Sequence, residues 1–148
     1  MLQKQARAVP FDIGFKPEAG VSGPVLLQTD DDAFLTFNAV HMTSDGKRGT
    51  AGTGVIELEG CYITKFGYPN DEGLGGHPLY KHGLGFYDVF EVLDSSWIQQ
   101  MTEQRHFIFT FHDSTFECVA NSLRATLSTE PYEQIFRQIT QRVFHHAA

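Results

Sequence analysis

The sequence predicts an α+β fold that is mainly β. The expected architecture is an antiparallel curved sheet or half-open barrel of about six to seven strands, with a short helix at about 95–104 and a C-terminal amphipathic helix at about 130–145. Three observations predict it. Short β-rich or alternating runs recur between turn signals along most of the chain. Thirteen Phe residues favour a sheet-rich core. Only the last segment sustains a helical period. At 148 residues the chain has the length of one domain, and no linker or repeat divides it.

The elements follow in order. Residues 1–23 carry Pro10, Gly14, Pro17, Gly20 and Gly23 and read as an irregular N-terminal arm. PVLLQ (24–28) and AFLTFNAVHM (33–42) read as two strands joined by TDDD, where Asp side chains cap their own backbone. SDGKRGTAGTG (44–54) reads as a hairpin loop, because Lys47 is followed by Arg48 and Gly49 and so breaks the phosphate-loop pattern. VIELEGCYITKF (55–66) alternates as one strand, with Ile56, Leu58, Tyr62 and Phe66 on one face. FYDVFEVL (86–93) is a further strand, and DSSWIQQMTEQ (94–104) reads as the short helix. In the terminal helix Tyr132, Ile135, Phe136, Ile139 and Val143 form an apolar stripe, with Ser128 or Thr129 as cap and Pro131 in the first turn.

Composition excludes several classes of function. Net charge is −7 and the basic residues are scattered, so neither nucleic acid nor an anionic membrane surface is an expected partner. No run approaches the length of a membrane span, and MLQKQARAVPF lacks the apolar core of a secretory signal. Cys61 and Cys118 have no CxxC spacing and read as free thiols of a reducing cytoplasm.

HFIFTFHDSTFECVA (106–120) holds the densest chemistry. With Asp113-Ser114 as the turn, His112 pairs with Thr115, Phe109 with Cys118 and Phe107 with Ala120. A four-residue loop keeps the same parity. Either way Phe107, Phe109, Phe111, Phe116 and Cys118 share a core face. Thr110, His112 and Glu117 share the other, mixed face. His112-Asp113-Ser114 is not a triad, because consecutive side chains do not converge and Asp-Ser is ordinary turn chemistry.

The second constellation lies in GYPNDEGLGGHPLYKHGLG (67–85), a Gly-rich stretch long enough to be functional in its own right. It supplies Asp71, His77 and His82. The candidate ligand-binding residues are therefore His77, His82, Thr110, His112, Glu117 and Asp71, around a pocket between loop 67–85 and the mixed face of hairpin 106–121. Two His and a carboxylate suit a metal, so His77, His82, His112 and Glu117 are candidate donors, but HExxH is absent and no metal site is assigned. Trp97, Tyr80, Tyr87 and Phe86 have the chemistry to stack on a ligand, although core packing is the commoner fate of such rings.

GYPNDEGLGGHPLYKHGL, VFEVLDSSWI and HFIFTFHDSTFECVA together resemble blocks of a family of small bacterial proteins without assigned function, over roughly residues 66–122. The resemblance implies a bacterial cytoplasmic setting and no activity or cofactor. The expectation is a small ligand- or partner-binding domain, with a small molecule or a second copy of the chain as partner. The alternatives are a small metal-dependent or acid–base enzyme using His77, His82, His112 and Glu117, and a structural or interaction protein.

Overall fold

The computed structural model describes residues 4–98 and 103–145. The strands are β1 (Arg7–Pro10), β2 (Phe15–Pro17), β3 (Val25–Gln28), β4 (Ala33–Met42), β5 (Arg48–Glu59), β6 (Ile63–Gly67), β7 (Val89–Leu93), β8 (Arg105–Thr110), β9 (Thr115–Ala120) and β10 (Ser122–Ser128), and helix α1 spans Tyr132–His145. Every pairing is antiparallel. One sheet has the order β1-β7-β8-β9-β6, and the other β10-β5-β4-β2 with β3 also on β4. The two sheets face each other across one apolar core and do not close into a barrel.

The fold class is the one the sequence predicts, with more strands. Two of the extra strands, β1 and β2, lie inside the arm read as irregular. They are only four and three residues long, too short to show a period. A third difference is at Gly60, which has φ of +62° and splits the run 55–66. β5 stays in one sheet and β6 joins the other, so Ile56 and Leu58 are buried while Tyr62 and Phe66 are exposed. The return crossing, β9 to β10 at Asn121, lies alongside. Asn121 N–H donates to Glu59 O at 2.9 Å, and a Cβ on Gly60 would fall 2.3 Å from the Asn121 side chain. The segment 48–54, read as loop, is the start of β5. Its Gly54 faces the core, where a Cβ would lie 2.7 Å from the Phe15 ring and 2.9 Å from Phe37. Of the expected helix at 95–104, residues 96–97 form a turn and 98 a bend, and residues 99–102 lie outside the described residues.

The hairpin keeps the predicted parity and shifts in register. Its loop is the four residues Phe111–Ser114, closed by Phe111 N–H to Ser114 O at 2.9 Å. Thr110 therefore pairs with Thr115, Phe109 with Phe116 and Phe107 with Cys118, two positions from the tighter-turn pairing. The faces survive because an even loop preserves them. Phe107, Phe109 and Phe116 are fully buried, at about 1.5–3 kcal/mol each, so no one-residue slip competes.

Each sheet also covers its outer face. On the first sheet, loop 67–88 lays Leu74, Leu79 and Leu84 on Ala8, Phe90, Val92 and Ile108. On the second, α1 lays Ile135 and Ile139 on Phe34, with Leu27, Val55 and Val143 around them. Tyr132 and Phe136, placed in the apolar stripe by their spacing, are instead exposed, and Tyr132 OH meets Thr36 Oγ1 at 3.1 Å.

Candidate functional site

Loop 67–88 and the outer face of β8–β9 meet at two polar clusters. The first is sealed. Glu117 stands on β9 opposite Ile108, in a buried layer it shares with Val119 and with the polar His106, Thr110 and Thr115, and is 4% exposed. His77 reaches it from the loop by hydrogen bonding Nε2 to Oε1. The Leu79 N–H donates to His77 Nδ1 at 3.0 Å, so that nitrogen holds a lone pair and Nε2–H is the donor to the carboxylate. His106, 3% exposed on β8, places Nε2 3.6 Å from Glu117 Oε2. That is longer than an ordinary hydrogen bond, and His106 Nε2 has no closer partner among the described residues. Ser95 Oγ lies 2.7 Å from His106 Nδ1 while accepting Trp97 N–H at 3.0 Å, and the Trp97 ring stacks on the imidazole at 4.6 Å.

Burial alone would push the Glu117 carboxyl up. The imidazole groups of His106 and His77 outweigh it and hold the carboxyl down at about 2. Glu117 is thus an ionised group under the loop, hydrogen-bonded by His77 and faced by His106 at 3.6 Å. Thr110 and Thr115 complete the layer. Thr110 Oγ1 accepts Asp88 N–H at 3.1 Å, and Thr115 Oγ1 donates to Pro69 O at 2.8 Å, so both hydroxyls tie the loop ends to the sheet.

The second cluster is open. Asp71 Oδ2 accepts from Tyr87 OH at 2.6 Å and bonds His112 Nδ1 at 2.6 Å. Asp71 N–H also donates to His112 O at 2.9 Å, clamping loop to hairpin turn. The His112 side chain is 47% exposed, whereas Asp71 is 13% exposed. Hydrogen bonds from Tyr87 and then His112 lower the Asp71 carboxyl, and the same carboxylate raises both His112 and Tyr87. Tyr87 holds φ of +53°, a left-handed conformation that is strained for a bulky side chain. Its ring lies 6.0 Å from Phe86, which lies 6.1 Å from Tyr80, and Phe86 and Tyr80 are exposed.

The six sequence candidates are therefore sorted into different places. His77 joins Glu117, and Asp71 joins His112. Thr110 is spent on Asp88. His82 sits half-buried in the turn Tyr80–His82, beside Arg7 and Ala8 of the arm. Among the described residues no group of three His, Cys, Asp or Glu side chains is arranged to hold a metal ion. Ser114 Oγ is buried and has no hydrogen-bond partner among the described residues, so it forms no triad with the His112–Asp71 pair. His106 and Tyr87 are not among those six, and the sequence offers Tyr87 only as a ring able to stack. The parity that put Glu117 on the mixed face puts His106 there too, and that was the available signal. Tyr87 reaches Asp71 through a local backbone conformation that no pattern announces.

No family model, curated protein or solved structure matches the chain.

Proposed function

We propose that the protein is a small ligand- or partner-binding domain whose recognition surface is the open cluster Asp71–His112–Tyr87 with the exposed rings of Phe86 and Tyr80. The observation that carries this reading is the contrast between the two clusters. The space beneath the loop is filled by Leu74, Leu79 and Leu84, and the His77–Glu117 pair there anchors the loop. Asp71, by contrast, orients a half-exposed His112 beside a strained Tyr87 and two exposed aromatic faces. Such a surface offers stacking together with a directed imidazole. The setting proposed is the cytoplasm. Cys61 and Cys118 are free thiols, and among the described residues no helix is long and apolar enough to cross a membrane.

A screen of small hydrogen-bonding aromatic compounds, followed by amide chemical shifts, tests the site. Hits are expected to move residues 71–72, 86–87 and 111–113, and to be lost in His112→Ala and Tyr87→Phe. Hits that bind elsewhere, or that survive both changes, would overturn the assignment. The His112–Asp71 pair also supports a second reading, acid–base catalysis, because a carboxylate on Nδ1 leaves Nε2 for proton transfer. On that reading, any turnover found among the hits falls with His112→Ala, and its pH profile moves to lower pH in Asp71→Asn.

A further inference from the structure

A further cavity lies away from both clusters. It is an open groove of about 1370 Å³ on the outer side of the second sheet, beside the C-terminal half of α1. Phe34, Leu123 and Val143 contribute its apolar lining, and Asp30, Asp31, Asp32 and Glu59 contribute carboxylates.

The turn that presents these carboxylates does not need most of them. The sequence suggests that the Asp side chains of TDDD cap the turn, but Thr29 does so. Its Oγ1 accepts Asp31 N–H at 3.3 Å and Asp32 N–H at 3.0 Å. Asp32 Oδ1 accepts Gly60 N–H at 3.2 Å, and Glu59 accepts the Ser122 hydroxyl at 3.1 Å. The carboxylates of Asp30 and Asp31 make no hydrogen bond among the described residues. The two cations of the groove, Arg124 and Arg142, both go to Glu57. Among the described residues, Asp30, Asp31, Asp32 and Glu59 therefore have no cationic partner. Like charges lining one groove repel, and an incoming cation relieves them.

The size and chemistry of the groove narrow its occupant. Its volume exceeds the ~300–1,000 Å³ of ordinary small-molecule sites. An apolar lining beside a row of unmatched carboxylates complements a chain segment that carries both apolar and basic side chains. We propose that this groove docks a basic amphipathic segment of a partner protein, with Lys or Arg side chains on Asp30, Asp31, Asp32 and Glu59 and apolar side chains against the exposed parts of Leu123 and Val143.

The test is a titration of the ¹⁵N-labelled full chain with a synthetic amphipathic Leu/Lys peptide, with its Leu/Glu counterpart as control. Shifts are expected at residues 29–34, 57–59, 122–124 and 138–143, with weakening as salt rises. The variant Asp30→Asn/Asp31→Asn/Glu59→Gln should weaken binding by about tenfold. The variant Glu72→Gln/Glu103→Gln/Glu133→Gln, with the same net charge and away from the groove lining, should bind as the unaltered protein does. Four results would overturn the proposal: shifts spread over the surface, equal binding of the Leu/Glu peptide, equal loss in both triple variants, or no binding. The amide spectrum of each variant shows whether it is folded, so a lost interaction is read only from a folded chain.

Discussion

At the scale of single residues, Glu117 is a charge taken out of water. It is an ionised carboxylate at 4% exposure, and its cost is met by two imidazoles. Removing it leaves the His77 Nε2–H without its acceptor and His106 without the carboxylate that faces it. Glu117→Ala is therefore expected to cost about 3–5 kcal/mol in urea unfolding, and Glu117→Gln, which keeps an acceptor, less. The pH dependence has a definite sign. The folded-state carboxyl sits at about 2 against an ordinary 4.5, so its contribution is complete above 4.5 and is lost as pH falls towards 2. Glu117→Gln should remove that part of the acid limb, and equal slopes in both proteins across the window would show that another group is responsible.

At the scale of elements, loop 67–88 depends on one close approach to β1. Gly83 has φ of +105°, and a Cβ there would lie 2.1 Å from the Ala8 carbonyl oxygen. Gly83→Ala should cost about 1–3 kcal/mol and raise amide exchange first in β1, the edge strand it displaces. Gly75, in the neighbouring turn, has nothing within 4 Å of a Cβ, so Gly75→Ala should stay within about 0.5 kcal/mol. If both changes cost the same, the Ala8 contact is not what seats the loop. The same scale shows what the sequence made legible. β4 is read residue for residue as Ala33–Met42, because its apolar run is bounded by turn residues on both sides. The faces of β8 and β9 are legible because period-2 parity survives a change of loop length, whereas register does not. The start of β5 is not legible, since Gly54 reads as loop in sequence yet is required by the Phe15 and Phe37 rings. A glycine's reason lies in its neighbours, and those come from distant parts of the chain.

At the scale of the molecule, the sheet changes at Gly60 and Asn121 decide which groups meet, and no local pattern encodes them. They explain why the six candidates expected around one pocket separated, four of them into the two pairs His77–Glu117 and Asp71–His112. β6 and β9 lie together in the first sheet, with loop 67–88 on its outer face, so His77 arrives over Glu117 while His112 stays at the hairpin tip. The same topology brings Cys61, at the crossing, against Cys118, on the core face of β9, and both are fully buried. Burial, then the hydrogen bond to Cys61, pushes the Cys118 thiol well up, which suppresses thiolate there. Thiol chemistry then becomes a probe of the whole core. Between the facing sheets neither sulfur meets reagent until the sheets part. Modification by a disulfide reagent such as DTNB should therefore be slow in the native protein, release two thiols per chain in urea, and track the unfolding rate across denaturant concentrations. Rapid labelling of one thiol in the native state would mean that the crossing at Gly60 opens locally, and the two-sheet core would then not be one cooperative unit.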